Sequence, residues 1–223
     1  MLIVQYDNLT SFMKEYRLVH QGKVYETDLN VEFHWFDRFQ RMLKEANILA
    51  TIAKNARPGL GLDLGTSEGR SALEMARNIP PGGQIWTVNI LPEQITGDMK
   101  LITHAMPKKQ IGNMIKNLPN VMQFYSDTQS VIIPPGIKFE FIFVDACHDR
   151  TYVYKDSMKF WPYLRTGGFI MWHDFNSDLR YTPGLEWINE VMCGVEDFVE
   201  EMDLENNPIS HIKDTWIGIM EKP

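Results

Sequence analysis

A glycine-containing stretch in the first third of the chain has the composition of a ligand-binding turn. Asp63 comes two residues before Gly65, and a second glycine, Gly69, follows. Glycines let the backbone pass close to a ligand, and open α/β sheets bind ligands where their strands end. A carboxylate at this place repels a phosphate and attracts a cation. The stretch therefore predicts a binding site for a positively charged ligand.

The same stretch differs from the two common phosphate-binding motifs. A dinucleotide site has the pattern G-x-G-x-x-G with no acid directly ahead of it, and a phosphate loop has the pattern G-x-x-x-x-G-K-[ST]. Neither pattern occurs at this turn. A nicotinamide-dependent oxidoreductase stays open as an alternative, because such enzymes are built on the same kind of sheet.

A second group of polar residues follows two apolar runs further along the chain. Asp145 ends the run FEFIFVD, His148 comes shortly after it, and His173 and Asp174 end the run GFIMWHD. The carboxyl ends of parallel strands meet at one edge of a sheet, so we expect these side chains to lie close together. A histidine there could accept the proton of a substrate hydroxyl, since its ordinary pKa lies near neutrality. The alternative for His148 is a surface or helix-capping residue. The alternative for Asp145 is a residue that caps the next helix or holds a loop, but a charge directly after a nearly apolar run favours a functional role.

The two acids of this group could also hold a divalent cation. Asp145 and Asp174, with His173 or Asn176, offer mainly oxygen ligands, which suit Mg²⁺. A metal ion there would lower the pKa of a bound hydroxyl and orient it. The alternative is a hydrogen-bonded polar cluster that holds no metal.

The segments around these residues alternate between strand and helix patterns, which predicts a mostly parallel sheet with helices on both faces. The predicted strands are 60–64, 84–90, 121–126, 139–146, 168–174, 195–201 and 215–221. The predicted helices are 31–54, 71–78, 108–117, 151–164 and 185–192. The fold class is therefore α/β, with a Rossmann-like seven-stranded sheet, an antiparallel last strand and a helical N-terminal extension.

Residues 1–55 are predicted as this helical extension, which caps the acceptor side, and residues 56–223 as the main domain. The aromatic stretch FHWFDRF could roof a substrate pocket or simply pack in the core. Further on, His104 and the pair Lys108 and Lys109 could cover the bound ligand or form a solvated face.

Composition limits the partners of the chain. The formal net charge is −7 and the isoelectric point is about 5.4, so binding to nucleic acid is not expected. Two cysteines are too few for a disulfide framework, and neither a signal peptide nor an apolar run of about 18 residues is present. These observations predict a cytoplasmic protein that does not enter a membrane and that could form a homodimer.

The stretch LDLGTSEGRS resembles motif I of the class I S-adenosylmethionine-dependent methyltransferases, D/E-x-G-x-G-x-G, with Ser67 in place of the middle glycine. The region around VDACH and GGFIMWHD is similar to small-molecule O-methyltransferases of that family. The resemblance extends over about residues 58–178. It implies a methyltransferase domain in residues 56–223, and S-adenosylmethionine as the cofactor.

The resemblance also implies roles for individual residues. The cofactor-binding set is Asp63, Gly65, Thr66, Ser67, Gly69, Asn89 and Asp127. Asn89 stands where the family has an acid for the ribose hydroxyls, and Glu93 is the alternative ribose ligand. The catalytic set is Asp145, His148 and His173, and Asp145 and Asp174 form the candidate magnesium site.

These roles together predict methyl transfer from S-adenosylmethionine to an oxygen of a small-molecule acceptor. Sugars, catechol-like phenols and peptide natural products stay open as acceptors. Besides the oxidoreductase, a second alternative is a non-catalytic protein of the methyltransferase fold, because Ser67 and Asn89 both depart from the family pattern.

Overall fold

The computed structural model describes residues 1–19, 24, 36–95 and 107–223. The strands are β1 (Ile3–Tyr6), β2 (Leu60–Leu64), β3 (Gln84–Asn89), β4 (Val121–Tyr125), β5 (Phe139–Val144), β6 (Leu164–Trp172), β7 (Ile209–Ile212) and β8 (Gly218–Glu221). The α-helices are α1 (Leu9–Glu15), α2 (Phe36–Asn55), α3 (Arg70–Asn78), α4 (Arg150–Phe160) and α5 (Glu186–Glu201). Two parts of the predictions lie outside the described residues: positions 31–35 of the first predicted helix, which include Phe33, and His104.

All these strands belong to one sheet, in the order β1-β7-β8-β6-β5-β2-β3-β4. Neighbouring strands are parallel except at β8, which is antiparallel to both β6 and β7. The mostly parallel sheet and the antiparallel last strand are thus confirmed. β2 lies between β3 and β5, so the chain leaves β2 in one direction and later returns to its other side. Ligands bind at the carboxyl ends of the strands at such a reversal.

Within the described residues the sheet has eight strands, whereas the sequence predicts seven. The additional strand is β1, which pairs in parallel with β7 from Ile3 to Tyr6. A four-residue edge strand has too few residues to show a clear period, so local sequence gives no signal for it. The N-terminal extension therefore contributes a sheet strand as well as α1 and α2. The division of the chain at residue 55 stays a prediction.

Alternate residues of the central strands pack into two hydrophobic clusters, one on each face of the sheet. Ile142 and Val144 belong to the cluster that includes α4 and α5. Phe141 and Phe143 belong to the cluster that includes α1, α2 and α3. A strand that is covered on both faces is apolar at almost every position, which is why β5 reads FEFIFV.

Two elements differ from their predictions because tertiary contacts outweigh local pattern. Residues 195–201 form the end of α5 and not a strand, because Val195, Phe198 and Val199 lie on one helical face that is buried against the sheet. β7 follows instead, between the two segments that were predicted as the last two strands.

Residues 108–117 form successive turns and not a helix. Gly112 has a φ of +69°, and its N–H donates to the carbonyl of Ser67 at 2.8 Å. Met114 N–H likewise donates to the carbonyl of Glu68 at 2.9 Å. This segment therefore docks on the glycine turn through backbone hydrogen bonds that a helix would use internally. None of the described helices combines the length and the apolar character that crossing a bilayer requires.

Candidate active site

The glycine turn joins β2 to α3 at the carboxyl edge of the sheet. Gly65 has a φ of +103°, and a Cβ atom there would lie 2.0 Å from the carbonyl oxygen of Asp145. Gly69 has a φ of +95° and caps the start of α3 with no side-chain hydrogen bond. Only glycine fits the first of these positions, because neighbouring backbone occupies the space of a side chain. The turn thus places the backbone next to the end of β5.

The small polar residues of the turn bond to β3 rather than to α3. Ser67 adopts a φ of +49°, and its N–H donates to Asn89 Oδ1 at 2.9 Å. The hydroxyls of Thr66 and Thr87 lie 2.6 Å apart in the buried interior. These bonds tie the turn to the neighbouring strand, and neither side chain caps α3.

Asp63 lies behind the turn and not on the wall of the cavity. Its side chain is fully buried, and its two oxygens accept hydrogen bonds from Ser71 Oγ at 2.8 Å and Thr87 Oγ1 at 2.5 Å. Burial raises the pKa of Asp63 to about 7, although both hydrogen bonds act in the opposite direction. In this structure both oxygens of Asp63 thus make contacts that hold the turn, and its contact with a cationic ligand stays a prediction.

The other predicted cofactor ligands lie near the ends of β3 and β4. Asn89 and Asp127 both line the cavity. The amide nitrogen of Asn89 donates to the carbonyl of Ile90 at 2.7 Å, so its polar atoms already support the turn. Asp127 Oδ1 accepts from the N–H of Gln129 at 3.1 Å. Glu93 is exposed and lies outside the residues that line the cavity.

The predicted acids and histidines meet at the ends of β5 and β6. His148 Nε2 lies 3.3 Å from both Asp145 Oδ1 and Asp174 Oδ2. His173 Nδ1 lies 3.2 Å from Asp145 Oδ1 and 3.5 Å from Asp174 Oδ1. Two carboxylates and two imidazoles therefore alternate in one cluster. Asn176 is not part of it, because Asn176 Oδ1 accepts from two backbone N–H groups and its amide donates to the carbonyl of Thr215.

The charges of this cluster support one another. Burial alone would raise the pKa values of Asp145 and Asp174, but the positive charge of His173 and contacts with His148 lower them. Burial alone would lower the pKa of His148, but its hydrogen bond to Asp145 and the charges of both acids raise it. The same two acids raise the pKa of His173 well above its usual value. These contacts thus favour the ionised acids and the protonated imidazoles over the neutral forms.

Residues that the sequence analysis did not identify complete the site from outside the sheet. Glu45 of α2 is buried, and its Oε2 lies 3.4 Å from His173 Nε2. Glu45 Oε1 accepts from the backbone N–H of Trp216, which lies between β7 and β8, at 2.8 Å. The guanidinium of Arg41 stacks 3.5 Å from the centre of the Trp216 ring. A polar position inside the amphipathic pattern of α2 was the only local signal for Glu45.

One cavity of about 970 Å³ brings together the turn from Gly65 to Ser67, the ends of β3 and β4, and the acid–histidine cluster. We call the part lined by Gly65, Thr66, Ser67, Asn89 and Asp127 the donor half. The acceptor half is lined by Arg41, Glu45, His148, His173, Asp174, Trp187 and Trp216. Asp145 lines the same cavity at the end of β5, between the two halves.

The acid–histidine cluster offers ligand atoms for a metal ion. The ligand atoms of Asp145, His148 and Asp174 all lie within 4.8 Å of one another. Two carboxylates are a common protein contribution to a Mg²⁺ site, where water fills the other positions, whereas an imidazole nitrogen suits transition metals better. The two acids therefore fit Mg²⁺, provided that the imidazole of His148 is uncharged or turns away.

A family model described as a methyltransferase domain matches residues 62–175, slightly more than half of the chain. The matched range includes the glycine turn and the acid–histidine cluster. The chain belongs to this methyltransferase-domain family, which confirms the family that motif I predicts.

Two solved structures illustrate the shared fold. The O-methyltransferase NovP superimposes with a TM-score of 0.57 at 10% identity, over 83% of this chain and 79% of NovP. The O-methyltransferase TomG from Streptomyces achromogenes, involved in tomaymycin synthesis and solved in complex with S-adenosylmethionine, has a TM-score of 0.51 at 15% identity, over 100% of this chain and 93% of TomG. The chain has no match among curated protein sequences. At these identities, the similarity establishes the Rossmann-like methyltransferase fold.

Proposed function

We propose that the protein transfers a methyl group from S-adenosylmethionine to a hydroxyl oxygen of a small-molecule acceptor. One observation carries this proposal: His148, held 3.3 Å from both Asp145 and Asp174, faces the same cavity as the Gly65 turn. A proton acceptor and a donor-binding turn are thus next to each other. The complex of TomG with S-adenosylmethionine supports the same choice of donor.

The donor half would hold the methyl donor through its backbone. Gly65 lets the turn lie against the backbone at the end of β5, and Ser67 adopts the left-handed conformation beside it. Asn89 stabilises that conformation through the N–H of Ser67. When bound, the donor supplies a methyl group on a positively charged sulfur, and the nearby carboxylate of Asp145 has the complementary charge. Positioning is the main contribution of the protein, since the sulfonium is already a good leaving group.

The acceptor half would bind and deprotonate the hydroxyl. The neutral imidazole of His148 accepts the proton, and Asp145 and Asp174 stabilise the imidazolium that results. His173 is in contact with Glu45 through one ring nitrogen and with Asp145 through the other, so it serves to orient the acids. If Mg²⁺ is used, Asp145 and Asp174 would hold it, and the ion would lower the pKa of the acceptor hydroxyl.

The donor assignment is tested by calorimetry with S-adenosylhomocysteine, and the reaction by methyl transfer to a panel of phenols, catechols and sugars. We expect saturable binding of S-adenosylhomocysteine and transfer to at least one hydroxyl acceptor. Binding without transfer to any acceptor would support the non-catalytic alternative. Binding of NADH in place of S-adenosylhomocysteine would support the oxidoreductase alternative.

The metal is tested separately by treating the active protein with EDTA and then adding Mg²⁺. Activity that is lost and then restored by Mg²⁺ would support a metal at Asp145 and Asp174. Activity that EDTA does not change would leave His148 as the base that acts without a metal.

A further inference from the structure

We propose that the methyl acceptor carries a carboxylate and that Arg41 binds this group. The inference rests on the proposed function and specifies its substrate class. Arg41 lies near the start of α2 and lines the acceptor half of the cavity. Its guanidinium stacks on the indole of Trp216, at 3.5 Å from the ring centre to Cζ. The cation is therefore fixed on the wall that faces the acceptor.

The stacked guanidinium keeps its terminal hydrogen-bond donors available. Stacking on an indole uses the face of the guanidinium, whereas its five N–H donors point outward in its plane. Within the described part of the chain, the buried Nε of Arg41 has no hydrogen-bond partner. Glu45 Oε1 forms an ion pair with Nε at 3.6 Å, which is longer than a hydrogen bond.

Glu45 cannot readily supply the missing partner, because other groups already engage both of its oxygens. Oε1 accepts from the backbone N–H of Trp216 at 2.8 Å, and Oε2 faces His173 Nε2 at 3.4 Å. Nε itself is buried, so a ligand in the cavity would meet the terminal N–H groups of Arg41. A carboxylate pairs with a guanidinium through charge-assisted hydrogen bonds, and one on the bound acceptor would engage these terminal groups.

A singly charged carboxylate suits this half of the cavity better than a phosphate does. Glu45, Asp145 and Asp174 place three carboxylates around the acceptor, so a second negative charge on the ligand would be repelled more strongly. Arg41 reaches His173 through Glu45, which makes the anion site and the deprotonation site close neighbours. One small acceptor can therefore place its carboxylate on Arg41 and its hydroxyl near His148. Trp187 and Trp216 line the same half and offer aromatic surfaces for a planar acceptor.

The test compares two probes that differ in charge but hardly in shape, benzoate and benzamide. Binding of each to the full chain is followed by NMR titration, with and without saturating S-adenosylhomocysteine. We expect the wild-type protein to bind benzoate about tenfold or more tightly than benzamide, as a charge-assisted pair with Arg41 would give. Arg41→Gln should abolish this preference. Arg41→Lys should retain part of it, because lysine keeps the charge but loses the planar pair of donors.

The control is Arg57→Gln, which removes the same charge from an exposed site just beyond the opposite end of α2. This variant should leave the preference for benzoate unchanged. Equal binding of the two probes by the wild-type protein would overturn the proposal. A preference that survives in Arg41→Gln, or that Arg57→Gln also abolishes, would overturn it as well.

A structural role of Arg41 and a failure of the proposed function give different results. Chemical denaturation shows whether Arg41→Gln is folded, and Arg41→Lys serves as the test variant if it is not. Failure of S-adenosylhomocysteine to bind would contradict the proposed function. The preference for benzoate over benzamide is also measured without S-adenosylhomocysteine, so it tests the role of Arg41 independently. For turnover, 3,4-dihydroxybenzoate and 3,4-dihydroxybenzamide form the matching pair, and the acid should have the lower KM only while Arg41 is present.

Discussion

On the donor side of the cavity, main-chain hydrogen bonds hold the turn: the N–H groups of Gly65 and Thr66 both donate to the carbonyl of Val88, and that of Gly69 donates to the carbonyl of Thr66. On the acceptor side, charged side chains from α2 and from the ends of β5 and β6 face one another at 3.2 to 3.5 Å. The donor half should therefore be sensitive to added volume and the acceptor half to changes of charge and pH.

The largest effect is expected from Gly65→Ala. The new methyl group would lie 2.0 Å from the carbonyl oxygen of Asp145, in a backbone conformation that alanine disfavours. We expect the free energy of unfolding to fall by about 4 kcal/mol, and binding of S-adenosylhomocysteine to be lost. Urea denaturation and calorimetry measure the two effects.

The matched control is Gly136→Ala. Gly136 also has a positive φ, +84°, but among the described residues, its two chain neighbours apart, no heavy atom lies within 4 Å of the added Cβ. It should lose only about 1 kcal/mol, the cost of the conformation alone. Equal losses at the two glycines would show that the close approach at Gly65 is unimportant.

The acceptor half is tested by His148→Asn. Loss of a general base lowers kcat by about 10²-fold or more, whereas the affinity for S-adenosylhomocysteine should stay the same. Because the acids raise the pKa of His148, the neutral imidazole that accepts a proton forms only above its usual pKa. The wild-type rate should therefore rise with pH through that raised pKa, and the variant should lack this rise. A variant with the wild-type pH profile would assign the proton transfer to another group.

Asp63→Asn separates the burial of a charge from the binding of a ligand. The pKa of Asp63 is raised to about 7, so the folded protein binds this proton more tightly than the unfolded chain. Its stabilising contribution is complete below the unfolded pKa of about 3.9 and is lost as the pH rises towards 7. Relative to Asp63→Asn, the wild-type protein should lose about 2 kcal/mol or more of unfolding free energy between pH 4 and pH 8.

Chemical denaturation at several pH values measures this difference for Asp63→Asn. A difference in unfolding free energy that does not change with pH would mean that the carboxylate of Asp63 is charged at little cost. Calorimetry of the same variant tests the direct contact with the donor, which should be absent if the carboxylate only holds the turn.

The smallest effect is expected from Glu45→Gln. Glutamine keeps an oxygen for the N–H of Trp216 but removes the negative charge that faces His173. We expect KM for the acceptor to rise severalfold and stability to fall by about 1 kcal/mol, with donor affinity unchanged. Asp214→Asn is the control, because it removes an exposed ion pair between Lys44 and Asp214, which contributes little. If Glu45→Gln changed only the affinity for S-adenosylhomocysteine, the assignment of Glu45 to the acceptor half would be contradicted.

The parts of the fold that were predicted correctly have strong local patterns. A few neighbouring residues are enough to predict the strand FEFIFV and the glycine turn. β2 was predicted with its observed bounds. β1 and β7 were missed because four-residue strands carry little pattern. The end of α5 was read as a strand, because its branched and aromatic residues favour either structure until burial is known.

The candidate site divides in the same way. Asp145, His148, His173 and Asp174 could be named from sequence, since each follows an apolar run that ends at the same edge of a parallel sheet. Glu45 and Trp216 are 171 residues apart, and nothing local to either indicates that they touch. Asp63 was identified, but its burial and its hydrogen bonds to Ser71 and Thr87 were not, because sequence does not tell which way a side chain at a strand end points.

The sequence alone determines the α/β class, the family and the position of the ligand-binding edge. The hydrophobic period, the spacing of the glycines and the ends of the strands all depend on neighbours in the chain. Folding in three dimensions decided which charges face one another and that Asp63 is sealed behind the turn. It also brought Arg41 onto Trp216. Those contacts join segments that are distant in sequence, and their energies depend on burial, which exists only once the chain has packed.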